Sequence, residues 1–143
     1  MELQEISDRL EVEDLLTRYA HAVDRRDWDL YRSVFTPDAR IDYTSAGGIA
    51  GTVDEIVAWL DEVLGAFTAT QHLVANIELE VTGDGDIGRL SAMFHNPMKL
   101  ADGTVMFTGG WYHHDLIRTP RGWRSSRLVE ESAWFAGPPA PSS

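Results

Sequence analysis

The spacing of the apolar residues changes once along this chain, near Phe67, and this change restricts the folds that the chain can adopt. Before Phe67 the apolar residues recur at helical intervals, and after it they alternate with polar residues as in β-strands. Helices followed by a run of strands are typical of α+β domains. We predict three N-terminal helices packed on a strongly bent mixed or antiparallel sheet, which forms a cone-shaped barrel with an interior pocket.

The first two helices are predicted from an apolar stripe and a capping residue. Apolar residues in the segment 3–23 form one stripe on a long helix. The segment 24–29, Asp-Arg-Arg-Asp-Trp-Asp, breaks this helix, and Asp27 is placed to cap a short second helix that continues to Phe35. The segment 36–38, Thr-Pro-Asp, is expected to end that helix.

A short strand, a glycine loop and a third helix are predicted next. Residues 39–43 alternate as a strand, and the glycines within 47–51 form a loop. Thr52 and Glu55 have the spacing of a capping box, in which each side chain accepts a hydrogen bond from the backbone N–H of the other residue. The helix that starts there has an apolar face made of Ile56, Val57, Trp59, Leu60, Val63 and Leu64.

Four strands are predicted after Phe67. In the first strand, the residues expected to share an apolar face are Leu73, Ala75, Ile77, Leu79 and Val81. The other strands span 87–100, 105–118 and 123–135, and turns that contain Gly or Pro separate them. All of these segments form one domain, residues 1–136, and residues 137–143 form a Pro-rich tail that cannot join a sheet.

The charge balance limits the partners of the chain. The 143 residues include 12 basic and 23 acidic side chains, which gives a formal net charge of -11. Such a surface repels phosphate backbones and anionic lipids, so neither nucleic acid nor a membrane is expected as a partner. The absence of cysteine excludes disulfides and thiolate chemistry. No apolar run approaches the length of a membrane span and the N-terminus is acidic, so we expect a soluble cytoplasmic protein.

His72 is the candidate for general acid/base catalysis, because a histidine changes its charge close to neutral pH. Strict alternation along the first strand would direct His72 away from the apolar face, so a bulge or an irregular strand start is needed to turn it inward. Asp24 follows the apolar Val23 at the end of the first helix. Its carboxylate could hold His72 in position, or it could lie in solvent within a charged cluster.

Two tyrosines could assist this chemistry. Tyr19 lies five residues before Asp24 on the same predicted helix, and Tyr43 ends the short strand. A buried phenol can donate a hydrogen bond to a substrate oxygen. The alternative for Tyr43 is that it packs as an aromatic side chain at the rim of the core.

The long strands carry further candidates for substrate binding. His95 and Asn96 are adjacent and point to opposite faces. We expect His95 to face the pocket and Asn96 to have a structural role, with a role as pocket donor as the alternative. Trp111 and Tyr112 on the third long strand are also candidates, and Arg127 on the fourth could pair with a carboxylate of the substrate or of the first helix.

No metal site is predicted. His113 and His114 are adjacent strand residues and therefore point to opposite faces, and no histidine pair has a recognisable ligand spacing. The pair Gly109 and Gly110 within a strand indicates a bend or a close approach to a ligand.

Four segments together resemble the SnoaL-like branch of the nuclear transport factor 2 superfamily. They are Asp-Arg-Arg-Asp-Trp-Asp at 24–29, Ala-Arg-Ile-Asp-Tyr at 39–43, Thr-Gln-His at 70–72 and the final strands with Trp-Tyr-His-His and Gly-Trp-Arg. The resemblance extends over nearly the whole chain, and within the branch it is closest to the scytalone dehydratases and the bile-acid dehydratases.

The resemblance implies roles for four residues. In those dehydratases an aspartate that matches Asp24 orients a histidine that matches His72, and this histidine acts as base and acid. Tyrosines polarise the substrate carbonyl, and they match Tyr43 and, in the bile-acid dehydratases, Tyr19. The family resemblance therefore implies a base, a positioning carboxylate and two hydrogen-bond donors.

The chain also departs from the scytalone dehydratases. Val23 stands where those enzymes have a tyrosine, and Gly110 and Tyr112 stand where they have polar residues. The acid/base pair is thus kept while the contacts specific to scytalone are not. The resemblance implies a cofactor-free dehydratase that acts on a small apolar cyclic hydroxy-ketone such as a steroid, terpenoid or polyketide.

Two alternatives remain open, and one further feature is implied by the resemblance. The alternatives are an isomerase or cyclase that uses the same His/Asp pair, and a non-catalytic domain for small-molecule binding or assembly. The resemblance also implies a homo-oligomer, either a dimer or a trimer, that associates through the outer face of the sheet.

Overall fold

A computed structural model of the chain describes residues 1–137. The elements follow in the order α1 (Leu3–Arg25), α2 (Trp28–Arg32), β1 (Phe35–Asp42), β2 (Ala50–Thr52), α3 (Val53–Val63), β3 (Phe67–Thr70), β4 (Leu73–Thr82), β5 (Ile87–Leu100), β6 (Val105–Thr119) and β7 (Gly122–Ala136). The helices pack against a strongly curved mixed sheet. This confirms the predicted α+β cone, although the sheet is open and does not close into a barrel.

The long first helix buries only part of the predicted stripe. Its buried apolar side chains include Val12, Leu15, Leu16, Tyr19 and Val23. Leu3 and Leu10 are 86% and 61% exposed, so the prediction of a continuous stripe from residue 3 is wrong. Asp8 is buried instead, because Arg118 and the indole N–H of Trp123 donate hydrogen bonds to its carboxylate.

The second helix is shorter than predicted because strand pairing begins at Phe35. The side chain of Asp27 accepts a hydrogen bond from the backbone N–H of Leu30 at 3.1 Å, as predicted for a cap. The helix ends at Arg32, and the segment 36–38 lies within β1 instead of ending a helix. Pro37 has no N–H to contribute to the sheet, and the register of β1 against β7 shifts across this segment.

The third helix begins with the predicted capping box. The Thr52 hydroxyl accepts from the Glu55 N–H at 3.3 Å, and the Glu55 carboxylate accepts from the Thr52 N–H at 3.1 Å. Most of the predicted apolar face is buried, and it packs against β1. Because β1 and β2 precede this helix, the three helices are not consecutive along the chain.

The sheet has the order β2-β1-β7-β6-β5-β3, and β4 pairs with another part of β5. β1 and β7 are parallel, and the other pairs are antiparallel. β5 therefore pairs with two strands in succession, with β3 over 98–100 and with β4 over 87–95. Residues 71 and 72 form the gap between β3 and β4, at a point where the chain faces the end of α1.

β4 does not keep the single apolar face that alternation predicts. Its register against β5 shifts in the middle of the strand, where Asn76 adopts a φ of 53°. Val74 before the shift and Ile77 after it both pack against the core, whereas Leu73 is 62% exposed. The predicted face that contains Leu73 and Ile77 together is therefore wrong, because the irregularity exchanges the two faces of the strand.

Gly109 and Gly110 allow two strands to approach closely. They lie where the register of β6 against β7 shifts. A Cβ atom at Gly110 would collide with the backbone carbonyl oxygen of Glu131, and one at Gly109 would collide with the ring of Trp134. The glycine pair thus serves packing within the sheet, and not the alternative of approach to a ligand. In residues 1–137 no helix has both the length and the apolar character needed to cross a bilayer.

Candidate active site

His72 and Asp24 are in direct contact. The ring Nδ1 of His72 lies 2.6 Å from Oδ1 of Asp24, and the side chains are only 6% and 19% exposed. Because a carboxylate accepts, the proton of a neutral His72 ring resides on Nδ1, which leaves Nε2 as an unprotonated base. The same arrangement stabilises the imidazolium that forms when Nε2 takes up a proton.

Local backbone structure turns His72 inward. β3 ends at Thr70 and β4 begins at Leu73, so His72 lies outside the regular ladder. Its own backbone N–H donates to Oδ2 of Asp24 at 2.8 Å, and the Thr70 hydroxyl donates to Oδ1 at 2.9 Å. This is the irregular strand start that the alternation pattern required for an inward His72.

The environment of Asp24 keeps its carboxyl ionised. Burial alone would raise the pKa of Asp24, but the hydrogen bond and charge of His72, the His72 N–H and the Thr70 hydroxyl together hold the pKa below its usual value. Arg26 adopts a left-handed conformation at the end of α1, and its guanidinium donates to the carbonyl oxygens of Leu64 and Phe67. Arg26 thus fixes the end of α1 against the start of β3, which holds Asp24 in place.

Three buried tyrosines form a hydrogen-bonded chain beside this pair. The hydroxyl oxygens of Tyr19 and Tyr43 are 2.5 Å apart, and those of Tyr43 and Tyr31 are 2.8 Å apart. Burial raises the pKa of all three phenols well above the usual value, so they remain protonated donors at neutral pH. Tyr19 and Tyr43 were predicted from the sequence, whereas Tyr31 was not, because its helical position is that of an ordinary core aromatic.

The His72 side chain and the hydroxyl-bearing Tyr19 and Tyr43 border a cavity of about 780 Å³. This volume lies within the range of roughly 300–1,000 Å³ that is typical of ligand sites. Apolar side chains make up most of its wall, among them Val23, Trp59, Leu60, Val63, Phe67, Met98 and Met106. A smaller depression of about 250 Å³ between α1 and β4 is not lined by any of these groups.

His95 and Asn96 face the opposite sides of the sheet from those expected. Asn96 is buried and lines the cavity, and its Oδ1 has no hydrogen-bond partner among residues 1–137. His95 lies on the outer face of the sheet, where its ring stacks on Phe107 and Trp134 with centroids 5.8 Å and 5.7 Å apart. The expectation that His95 faces the pocket is therefore wrong, and Asn96 takes the polar position in the cavity wall.

Of the three remaining candidates, Tyr112 lines the cavity, and Trp111 and Arg127 lie outside it. Tyr112 is buried in the cavity wall, where it stacks on Phe94 at 4.3 Å. Trp111 precedes it in β6 and so points to the outer face, and Arg127 is exposed on β7. The expectation that Trp111 and Arg127 contact the substrate is therefore wrong, because side chains alternate along a strand and these two point to the outer face.

Glu130 is a cavity residue that the sequence analysis missed. It lies opposite Tyr112 in the antiparallel β6–β7 pair and therefore points to the same, inner face. Burial, with a smaller contribution from the charge of Asp42, raises the pKa of Glu130 from 4.5 to about 7. Alternation from the buried Leu128 could have identified it, because residues two apart in a strand share a face.

The remaining histidines are separate from this site. Burial lowers the pKa of His114 to about 3, with a further contribution from His113, and its Nδ1 lies 2.8 Å from the Ser125 hydroxyl. His113 contacts Ser91 and Glu131 on the outer face. No cluster of three His, Asp or Glu side chains with metal-binding geometry occurs within the described 137 residues.

Comparisons with known proteins agree with this fold and place the chain among relatives. The sequence profile of the SnoaL-like domain family matches residues 4–129. An uncharacterized protein of Mycobacterium tuberculosis, Rv2910c, is 45% identical over 132 residues, which cover 91% of this chain and 88% of that protein.

Two solved structures from Novosphingobium aromaticivorans illustrate the structural likeness. A candidate aromatic ring hydroxylase is 28% identical with a TM-score of 0.84, and the match covers 93% of this chain and 94% of that one. A candidate scytalone dehydratase is 13% identical with a TM-score of 0.86, and the match covers 100% of this chain and 95% of that one. At 13% identity the second likeness concerns the fold alone.

Proposed function

The chain belongs to the SnoaL-like domain family of the nuclear transport factor 2 superfamily, and on this basis we propose that it is a cofactor-free acid/base enzyme, a dehydratase of small apolar cyclic hydroxy-ketones. The observation that carries the proposal is the 2.6 Å contact between His72 Nδ1 and Asp24 Oδ1 at the wall of an apolar cavity. A carboxylate-oriented imidazole that faces an apolar space is suited to remove a proton from carbon.

The proposed reaction begins with proton abstraction. Nε2 of His72 takes a proton from the carbon next to the substrate carbonyl, and the electrons of that C–H bond form an enolate. Asp24 stabilises the resulting imidazolium, and the hydroxyl group of Tyr43, which accepts a hydrogen bond from Tyr19, donates to the enolate oxygen. Positioned donors of this kind are worth about 10²–10³ in rate each.

Elimination completes the reaction. The enolate electrons form a carbon–carbon double bond as the C–O bond to the β-hydroxyl breaks, and the hydroxyl leaves as water after it receives a proton. In the simplest form the His72 imidazolium returns the proton that it took, so the enzyme is regenerated. The base, the acid and the donors are all side chains of this chain, so the reaction as written requires no cofactor.

The apolar wall supports the proposed class of substrate. A cavity of about 780 Å³ lined by aliphatic, aromatic and methionine side chains favours a ring system with few charges. The fold shared with a candidate scytalone dehydratase is compatible with this reaction type. Steroid, terpenoid and polyketide ketones all have the required ring systems.

Isomerases and cyclases start from the same proton abstraction and are the alternative products of this site. An enolate that is reprotonated at another carbon gives an isomer, and one that attacks a second carbonyl gives a new ring. The His72–Asp24 contact supports all three reactions equally, and the product distinguishes them.

A panel of cyclic β-hydroxy ketones tests the proposal. Wild type is expected to release water and form the conjugated enone, measured by ultraviolet absorbance, and His72→Ala should lose this activity. A matched control is His113→Ala, on the outer face. Saturable binding of these ketones with no product of any kind would instead support the alternative of a non-catalytic binding domain.

A further inference from the structure

The sheet side of the cavity carries a carboxyl group that the His72–Asp24 pair does not use. Glu130 on β7 lies opposite the buried Tyr112 on β6, so both side chains point toward the helices. Both line the cavity that also contains the His72 side chain. Glu62 is the other carboxyl residue in this lining, but it is exposed on α3. Glu130 is therefore the acidic side chain of the sheet wall.

Glu130 is available to a bound molecule. In the described part of the chain no protein group donates a hydrogen bond to its carboxyl group, and its pKa is determined by burial and by Asp42. Glu130 is half-buried, and polar groups withdrawn from water in proteins normally have a partner. A carboxyl group that borders a cavity without one can interact with a ligand, and in its neutral form it can donate a proton.

The groups around Glu130 favour this neutral form. The titratable groups that influence or share the surroundings of Glu130 are the phenols of Tyr112 on β6, Tyr19 on α1, Tyr31 on α2 and Tyr43 after β1, and the carboxylate of Asp42, which is paired with Val129 and therefore points to the opposite face of the sheet. The four phenols have raised pKa values and are uncharged at neutral pH. Asp42 contributes a negative charge, which opposes ionisation of Glu130. No cation acts on the pKa of Glu130 from these elements.

His72 and Glu130 approach the cavity from different strands. His72 borders β5, and β6 lies between β5 and β7. His72 itself lies on the β3–β4 segment beyond β5, so three strand spacings of roughly 4.8 Å, about 14 Å in all, separate its backbone from that of β7. The sheet is strongly curved, and both side chains border the same cavity of about 780 Å³ on its concave side, so one substrate in that cavity can contact both. A ring held between the two side chains thus presents one face or edge to His72 and another to Glu130.

We propose that Glu130 is the general acid of the elimination, which donates its carboxyl proton to the departing hydroxyl group of the substrate while His72 holds the proton removed from carbon. This assignment rests on the proposed function, and it replaces His72 as the source of the second proton. As the C–O bond breaks, the Glu130 O–H bond transfers its proton to the leaving oxygen, and water and a Glu130 carboxylate result. His72 loses its proton and Glu130 regains one through solvent before the next turnover.

Three tetralones separate the two proton transfers. 1-Tetralone has an acidic α-C–H and no leaving group, so deuterium uptake from D₂O reports on His72 alone. 3-Hydroxy-1-tetralone loses water and gives 1-naphthol after tautomerisation. 3-Chloro-1-tetralone loses chloride, which needs no proton, and gives the same product.

Glu130→Gln is expected to slow the loss of water by about 10²–10⁴, the usual contribution of a general acid. Deuterium uptake by 1-tetralone and loss of chloride should change by less than about threefold, which also shows that the cavity of the variant is intact. Glu131→Gln, on the neighbouring residue whose carboxylate contacts His113 outside the cavity, is the matched control and should leave all three reactions unchanged.

The pH profile gives an independent readout. Glu130 must be protonated to act as the acid. With a pKa of about 7, the fraction of enzyme with a protonated Glu130 falls about tenfold between pH 6 and pH 8. The rate of water loss catalysed by wild type should therefore fall about tenfold over the same range. Loss of chloride should lack this fall. An equal fall in both reactions would assign the pH dependence to another group and contradict the proposal.

The outcomes distinguish the two proposals. If Glu130→Gln slows water and chloride loss equally, or slows neither, Glu130 is not the general acid, although His72-dependent deuterium uptake would preserve the proposed function. If wild type acts on none of the three tetralones, or if deuterium uptake persists in His72→Ala, the proposed function fails and the role of Glu130 fails with it.

Discussion

The carboxylate of Asp24 connects the conformation of the backbone with the chemistry of the site. It accepts hydrogen bonds from the Thr70 hydroxyl, the His72 N–H and the His72 ring, and so it fixes both the strand gap and the imidazole. A single side chain therefore orients the His72 ring and sets which ring nitrogen carries the proton. Hydrogen bonds to a charged acceptor contribute about 1.5–3 kcal/mol each, so this geometry is strongly preferred.

Removal of the Tyr43 hydroxyl should reduce turnover more than binding. Tyr43 lines the cavity and is bonded to both Tyr19 and Tyr31, so Tyr43→Phe removes a donor to the enolate and interrupts the chain of phenols. We expect kcat on 3-hydroxy-1-tetralone to fall by about 10²-fold with little change in KM. Tyr31→Phe is the control, because Tyr31 is bonded to Tyr43 but does not line the cavity. A larger effect of Tyr31→Phe than of Tyr43→Phe would contradict this assignment.

Glu130 should make the stability of the protein depend on pH. Its pKa rises from 4.5 to about 7 on folding, so the neutral carboxyl favours the folded state. The contribution of Glu130 to the free energy of unfolding is complete below pH 4.5 and is lost as the pH rises through 7. At about 1.4 kcal/mol for each pKa unit, this loss is roughly 3 kcal/mol. The free energy of unfolding of Glu130→Gln, measured by urea titration at pH 5 and pH 8, should lack this pH-dependent loss. Wild type and variant with the same pH dependence would indicate that Glu130 is not buried as described.

Some of the site residues could be identified from local patterns and others could not. Asn96 shares a face with the apolar Phe94, so its inward position was available from alternation, and the preference for His95 misjudged this pattern. Glu130 was likewise available by alternation from Leu128, although the register shift of β7 between Ser125 and Arg127 breaks the alternation that runs from Trp123 and Ser125. The contact of Asp24 with His72 spans 48 residues, and no local pattern encodes such a contact. The residues alone left open whether Asp24 holds His72 or lies in solvent, and the family resemblance favoured the pairing.

The elements with strong local signals were predicted almost to the residue. The long strands at 87–100, 105–118 and 123–135 end at glycine or proline turns, and the capping box fixes the start of α3, so these boundaries agree with the structure. The errors occur where tertiary pairing overrides the local pattern. Pairing with β7 draws residues 35–38 into β1, and the irregularity in β4 exchanges its faces. The prediction of a Pro-rich tail concerns residues 138–143, which lie outside the described residues.

The register shift between β6 and β7 depends on Gly110. A methyl group there would meet the carbonyl oxygen of Glu131, and because both partners are backbone the strands themselves must move apart. Gly110→Ala should therefore lower the free energy of unfolding by about 1–3 kcal/mol, as is typical of overpacking. Gly65→Ala is the matched control, since no atom lies within 4 Å of the position of its Cβ. Equal stability of Gly110→Ala and wild type by urea titration would show that the strands are not this close.

The curvature of the open sheet determines both what the molecule encloses and what it exposes. The concave face encloses the cavity with His72, Tyr43 and Glu130. The convex face carries an outer aromatic patch made of Met93, His95, Phe107 and Trp134, three of which are at least 36% exposed. Clustered apolar side chains on a surface are typical of an interaction site. The fold thus separates the face that encloses the cavity from an outer face that carries exposed apolar side chains.

We expect the outer aromatic patch to form the contact of a homo-oligomer, a dimer or a trimer. Trp134 is 45% exposed in the single chain, and burial of its ring would stabilise such a contact. Sedimentation velocity should show an oligomer for wild type and a monomer for Trp134→Glu. Leu10→Glu is the control, because Leu10 is 61% exposed on α1, away from the sheet face. A monomeric wild type would contradict this expectation.

Deuterium uptake by 1-tetralone in D₂O, followed by proton NMR, measures carbon–hydrogen bond cleavage without any later step of the reaction. Wild type is expected to exchange the α-protons well above the uncatalysed rate. His72→Ala should return the rate to background, and Asp24→Asn, which keeps the shape but not the charge, should lower it by about 10²–10⁴. Exchange by His72→Ala at the wild-type rate would show that this imidazole is not the base.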